Sequence, residues 1–176
     1  MARLVFGMNL SLDGYADHER FAPDAVLFDH WTQQVKGSAG AIYGRKLYEI
    51  MRYWDEDQAE WGPAHHAFAL AWRDMRKWVV SGVLREVGPN AVLLDGDLRT
   101  AVSALKALET GQIDIGGPAL AQALGEMGLI DEYRLYYHPV VLGSGRPFFA
   151  GALPRLRLVG SDRIGPETMR LTYVPA

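Results

Sequence analysis

Short β-type runs alternate with helical spacings along the first three quarters of the chain. Arg3–Leu10 reads as a first strand, closed by the turn Asp13-Gly14. Asp24 after Pro23 is placed to cap a helix in which Phe28, Trp31 and Val35 recur at near-helical spacing up to Gly37. Ala39–Tyr43 predicts a brief second strand that stops at Gly44, and a helical segment follows through Met51. Tyr53–Pro63, rich in Trp, Asp and Glu, reads as a loop with aromatic anchors. Ala64–Arg76 reads as a helix and Trp78–Val80 as a buried strand.

The second half repeats this alternation. Ala91–Leu94 predicts a short strand, Asp95-Gly96-Asp97 a turn and cap, and Leu98, Val102, Leu105 and Leu108 one apolar stripe of a helix. Gln112–Ile115 is a strand running straight into Gly116-Gly117-Pro118. Leu120, Ala123, Leu124 and Met127 then mark another helix, closed by Gly128. From Glu132 onward only strands are read. Tyr133, Leu135 and Tyr137 alternate with Arg134, Tyr136 and His138, and two further strands lie at Leu156–Val159 and Met169–Val174. Repeated βα units followed by terminal strands imply an α/β fold, a mostly parallel sheet flanked by helices with antiparallel additions at its C-terminal end. No repeat, linker or low-complexity tract divides residues 1–176, so a single domain is expected.

Composition narrows the function. With no cysteine, neither a disulfide scaffold, a thiolate-ligated zinc site nor a cysteine nucleophile is available. Eighteen Lys and Arg stand against 21 Asp and Glu, a formal charge of −3, which argues against a general nucleic-acid binder. No apolar run has the length of a membrane span and the N-terminus reads as strand rather than signal peptide, so a cytoplasmic protein is expected.

Three strand-to-helix junctions carry the candidate chemistry, because ligands of open α/β sheets bind at the carboxyl ends of strands. Gly44-Arg45-Lys46-Leu47 joins a close-approach glycine to free N–H groups and two cations, a combination suited to phosphate. Val80-Ser81-Gly82 offers a hydroxyl at a strand end. Ile115-Gly116-Gly117-Pro118-Ala119-Leu120 ends a strand on paired glycines and starts a helix on proline, with its N-terminus facing a pyrophosphate. Each junction also has a plain reading as turn chemistry, and no G-x-G-x-x-G follows the first strand. Asp13 reads equally as a turn residue, and Asp29 as a solvated charge beside the apolar face of its helix. The adjacent His65 and His66 do not have the i, i+4 spacing of a metal pair, and no metal site is expected.

In this order, the junctions resemble the dihydrofolate reductase-like superfamily, and more closely its branch containing the reductase domain of riboflavin biosynthesis. The matching residues are Ser11-Leu12-Asp13-Gly14-Tyr15-Ala16, Gly44-Arg45-Lys46-Leu47-Tyr48-Glu49, Lys77-Trp78-Val79-Val80-Ser81 and the run from Ile115-Gly116-Gly117 to Glu132. The run continues through His138-Pro139-Val140-Val141-Leu142-Gly143-Ser144-Gly145-Arg146-Pro147-Phe148-Phe149, which is the most specific part. The resemblance implies an eight-stranded sheet, NADPH as cofactor and hydride transfer to a C=N or C=O carbon of a small heterocycle. It implies that Arg45 and Ser81 hold the adenosine 2′-phosphate, and that Gly44, Lys46, Leu47, Val80 and the segment Gly116, Gly117, Pro118, Ala119 and Leu120 cradle the cofactor. It also implies an unusual peptide geometry at Gly116-Gly117. Asp13 would orient substrate or assist proton delivery, with Asn9, Ser11 and Tyr15 beside it. A homodimer through the C-terminal strands is likewise implied, fitting the aromatic alternation of Tyr133–Tyr137.

Two positions depart from the pattern: Gly82 stands where relatives often carry arginine, and Leu47 where many have threonine. The choice between NADPH and NADH is therefore open at this stage. Pterin reduction is an alternative, with Asp29 as its acidic residue, and a nucleotide-binding dimer with little catalysis is another. The bifunctional riboflavin proteins add a zinc deaminase that needs cysteine ligands, so this chain is expected to be the reductase module alone.

Overall fold

Leu4, Val5 and Phe6 are all buried, which requires cover on both faces of the strand that carries them and puts that strand in the middle of a sheet. The computed structural model describes residues 1–176, apart from the side chain of His18. Its strands are β1 (Arg3–Leu10), β2 (Gly40–Gly44), β3 (Lys77–Val80), β4 (Ala91–Leu93), β5 (Gln112–Gly116), β6 (Glu132–Tyr137), β7 (Leu156–Ile164) and β8 (Thr168–Pro175). Its helices are α1 (Ala25–Gly37), α2 (Arg45–Met51), α3 (Pro63–Asp74), α4 (Leu98–Leu108) and α5 (Pro118–Glu126). One eight-stranded sheet runs β4-β3-β2-β5-β1-β6-β8-β7. The first six strands in that order are mutually parallel, and β8 and β7 are antiparallel additions. The fold class read from the sequence is the one observed.

Helices cover both faces. On one, Val102 and Leu105 of α4 and Leu120 and Leu124 of α5 pack on Leu4, Phe6, Ile113 and Ile115. On the other, Phe28 and Trp31 of α1, Tyr48 of α2 and Phe68 and Trp72 of α3 pack on Ala41, Tyr43 and Val79. The Asp24 cap forms as read, its Oδ1 accepting from the Leu27 N–H at 2.8 Å. Asp97 caps α4 in the same way through the Thr100 N–H. No helix of the described residues is long and apolar enough to cross a membrane.

Three differences from the sequence reading have physical causes. The predicted helix Ala64–Arg76 stops at Asp74, because Lys77 turns inward and its Nζ donates to the carbonyls of Trp72 and Met75 at 2.6 and 2.7 Å. The predicted strand Leu156–Val159 continues to Ile164 through a polar stretch, held by Arg170, which donates two bonds to the carboxylate of its cross-strand partner Asp162. Tyr53, Trp54 and Trp61 pack on one another, and the Trp61 indole N–H donates to Tyr53 at 2.9 Å. Arg52–Asp55, which carries Tyr53 and Trp54, forms a 3₁₀ turn at the start of the expected loop Tyr53–Pro63.

β6 is an interior strand. Its Tyr136 is fully buried under α1 against Trp31, so the aromatic alternation linked to a dimer contact is spent inside the chain. The strand that ends the sheet on that side is β7.

Candidate active site

Register brings the three junctions together. Tyr43 lies opposite Gly116 and Gly44 opposite Val80, so the C-terminal ends of β3, β2 and β5 stand side by side. The N-caps of α2 and α5 are Gly44 and Gly117, and neither helix start carries a side-chain cap. Their first N–H groups are therefore open to an external acceptor. Gly117 sits at φ +109°, a conformation that excludes ordinary side chains. At Gly116 a Cβ would overlap the Tyr43 ring, and at Gly44 it would meet Leu120. The unusual peptide geometry expected for Gly116-Gly117 is not a cis bond, since none occurs among the described residues; the departure is confined to the φ of Gly117.

A cleft of about 430 Å³ opens over these helix starts, lined by Gly44, Arg45, Lys46, Leu47, Gly117, Pro118, Ala119 and Leu120. Arg146, Pro147 and Ala150 close its far wall. Sequence reasoning quoted Arg146 within a motif but gave it no role; the signal available was a cation flanked by glycine and proline in the loop after β6. Arg45, Lys46 and Arg146 are three cations among lining residues that include no carboxylate. Arg45 is held by Glu49 one helical turn on, at 3.0 Å. Val80 and Ser81 adjoin this cleft through the β2–β3 register but are not part of its lining. The Ser81 hydroxyl oxygen accepts from the N–H groups of Val83 and Leu84, which leaves its own hydrogen available as a donor.

Leu47 and the glycine pair join this cleft to a second cavity of about 290 Å³. Gly7, Met8 and Asn9 of β1 form one wall, and Phe28, Trp31, Gln34 and Val35 of α1 another. Tyr43, Met51, Trp54 and Phe68 close it, and Asp114, Ile115 and Gly116 of β5 form its floor. It is largely apolar and aromatic, the texture of a small-molecule pocket. Asn9 is thus at the pocket as expected, its Oδ1 accepting from the Trp31 indole N–H at 3.3 Å.

The other substrate-side expectations are not brought there. Asp13 is a clasp between loops: its carboxylate accepts from the Ser11 hydroxyl at 2.6 Å and from the N–H groups of Leu142 and Gly143 at 3.1 and 2.7 Å. Those bonds, the Ser11 one foremost, hold its pKa at about 2, far too low for a proton donor near neutrality. Ser11 is fully buried within the same clasp, accepting from the Tyr15 N–H. Tyr15 itself pairs with Pro147, at the wall of the cation-lined cleft. Of the two roles expected for Asp13, orienting substrate or assisting proton delivery, neither is visible in this arrangement, which joins the loops after β1 and β6. With a lowered pKa the clasp is closed at neutral pH and opens only as pH falls through about 2. Asp13→Ala is expected to speed cleavage of the segment 142–145 in limited proteolysis while leaving the far-ultraviolet circular dichroism unchanged.

Asp29 is also corrected. It is exposed, accepts from Gln33, and borders a separate crevice between α1 and α3 with Lys36 and His65. The helix turns positions 28, 31, 34 and 35 to the main pocket, and position 29 lies about 100° around from position 28. The acidic residue that pterin reduction required from this helix is therefore not at the site.

Comparisons with known proteins agree with this geometry. The family described as RibD C-terminal domain matches residues 2–169. An uncharacterized protein of Bacillus subtilis (strain 168), YyaP, is 26% identical over 97% of this chain and 94% of its own length. The crystal structure of a putative riboflavin biosynthesis protein from Shewanella sp. PV-4 superimposes with a TM-score of 0.74 at 22% identity, covering 100% of this chain and 99% of that one. A dihydrofolate reductase from Enterococcus faecalis, complexed with NADP(H) and RAB-propyl, gives a TM-score of 0.63 at 13% identity, over 98% and 95% of the two chains. The fold is dihydrofolate reductase-like.

Proposed function

From the premise that this chain belongs to the RibD C-terminal domain family, we propose that it is an NADPH-dependent reductase of a small heterocyclic substrate, of the riboflavin-biosynthesis reductase type. The observation that carries the reading is the pairing of two joined cavities. One presents two uncapped helix starts and three cations, and the other, across Gly116-Gly117, is apolar and aromatic. A dinucleotide is anionic at its centre and flat at its ends, and this pair of cavities matches both properties.

The residues present fit the cofactor. Gly44 and Gly117 leave room for the backbone of α2 and α5 to meet a pyrophosphate, and Arg45, Lys46 and Arg146 neutralise it. Arg45 reaches a 2′-phosphate by exchanging its Glu49 partner for the ligand. When bound, the reduced nicotinamide supplies the hydride, to a C=N or C=O carbon. The chain's own contribution is to orient the reacting partners and exclude water. Leu47, Phe28 and Trp54 do so with apolar surface, while the Trp31 indole fixes the Asn9 amide that faces the substrate.

Titration with NADPH and NADH, followed by the fluorescence of the reduced nicotinamide, tests this reading. Saturable binding of NADPH is expected, and absence of binding to either nucleotide removes the reading. Arg45→Ala is expected to weaken NADPH about tenfold or more, the worth of a charged hydrogen bond, and NADH about twofold or less. Equal weakening of both would withdraw Arg45 from the 2′-phosphate.

A further inference from the structure

Asp114 is the one carboxyl group among the residues lining the apolar pocket, and it sits two residues before Gly116. Its surroundings are organised around it. Arg134 of β6 donates to Gln34 Oε1 at 3.3 Å and to Gln112 Oε1 at 3.0 Å. With both amide oxygens so occupied, the two amide nitrogens turn to Asp114 and donate to the same oxygen, Oδ1, at 3.3 and 2.6 Å. The guanidinium itself is paired with Glu132, which also meets Arg3. Asp114 therefore receives neutral donors and no direct counter-ion. Around it stand Gln34 and Ser38 from α1, Tyr43 from β2, and Arg134 and Tyr136 from β6. A carboxyl desolvated among neutral groups retains its proton to higher pH. Burial is the dominant influence and raises the pKa to about 6, against the smaller lowering effects of Gln112, Ser38, Arg134 and Gln34.

We propose that Asp114 contacts the heterocycle entering this pocket, its Oδ2–H donating to a ring acceptor of an aminopyrimidine-like edge while Oδ1 stays with the two glutamine amides, and that the same proton passes to the substrate heteroatom during reduction. The pairing needs only this chain; the proton step rests on the reductase reading. In that step the substrate carbon accepts the hydride that the reduced nicotinamide supplies, and the π pair of C=N or C=O moves onto nitrogen or oxygen. That atom bonds to hydrogen as the Asp114 O–H bond breaks. The carboxylate left behind takes a proton from solvent water once the product leaves. Arg134 is a positioning residue in this scheme, acting through the two glutamines.

Trp31 and Trp54 line the pocket, so binding is read by tryptophan fluorescence without any cofactor. The probe is 2-aminopyrimidine, neutral between pH 5 and 8. With Asp114 titrating at about 6, apparent affinity for the wild-type protein is expected to fall about tenfold from pH 5 to pH 7, following the protonated fraction. Asp114→Asn presents an N–H and a C=O in the same arrangement. It is expected to bind within about threefold of wild type at pH 5 and to lose the pH dependence. Asp114→Leu is expected to lose about tenfold or more at pH 5. A flat pH profile in the wild type, or Asp114→Leu binding as tightly as wild type, overturns the contact. For the proton step, Asp114→Asn is expected to lower kcat for NADPH consumption about a hundredfold with KM held within about threefold. An unchanged kcat overturns that role. Failure of NADPH to bind would remove the reductase reading while leaving the aminopyrimidine result standing.

Discussion

Gly116→Ala is expected to abolish NADPH binding and to lower the thermal midpoint by about 6–12 °C, whereas Gly44→Ala, at the end of the neighbouring strand, changes the midpoint little. A Cβ at position 116 would overlap the Tyr43 ring on the Cδ1–Cε1 edge beside its Cγ, the part of the ring that its own backbone tethers. Tyr43 is buried, edge-on to Trp72 with centroids 5.4 Å apart and close to Tyr48. Relief must come from moving β5 or β2, at a cost of about 3 kcal/mol, the upper part of the range for overpacked cores. Either movement displaces the floor of one cavity and the helix start of the other at once. At Gly44 the added carbon stands 3.6 Å from Leu120, an ordinary contact. Differential scanning calorimetry with an NADPH titration distinguishes the two variants, and equal midpoints would refute the steric argument.

The second large effect concerns stability. Lys77 is 1% exposed, its ammonium bound to the carbonyls of Trp72 and Met75 and lying 4.6 Å from the Trp72 ring centroid. Lys77→Ala is expected to cost about 3–5 kcal/mol, from a cavity under α3 together with two carbonyls deprived of their donor. Lys77→Met keeps the volume and forfeits only the donors, so its loss is expected to be about 1–2 kcal/mol. Burial lowers the Lys77 pKa to about 8, well below the 10.5 of a free lysine. The unfolded chain thus binds the proton more tightly, and the contribution of this residue to stability rises as pH climbs from about 8 towards 10.5. The neutral amine still has two hydrogens for its two carbonyls. Urea denaturation at pH 7.5 and pH 9.5 is expected to show wild type gaining on Lys77→Met at the higher pH. A constant difference would mean that Lys77 holds its proton as tightly in the folded protein as in the unfolded chain.

Glycine made the cation-lined cleft legible in the sequence. Where Gly44 and Gly116-Gly117 interrupt β-type runs before helical spacings, the break itself marks the carboxyl end of a parallel strand. Sequence alone also fixes the order of those breaks, and the parallel register does the rest. The pocket was much less legible. Asp114 lies in a short buried strand and reads as a lone polar residue; of its two amide partners only Gln112 is near in sequence, while Gln34 and the Arg134 that orients both lie in other elements. Asp29 reads as a solvated charge flanking the apolar stripe and is found so, one helical step off the pocket face. Asp13 has a turn-forming sequence around it, yet its deciding partners lie 129 and 130 residues downstream. Asn9 lines the pocket because it lies on the strand end next to the junctions rather than on a loop that folds back.

β1 sits between β5 and β6, with Arg3 opposite Gln112 and Leu10 opposite Tyr137. β1 therefore leaves the ribosome well ahead of both strands that pair with it. At ~5–20 residues per second, its two neighbours follow it by on the order of 5–20 s. Through that interval the nascent chain carries Leu4, Val5 and Phe6 with both edges unclaimed. Loop closure over roughly a hundred residues must then precede any reward from pairing, so refolding is expected to be slow for a domain of this size.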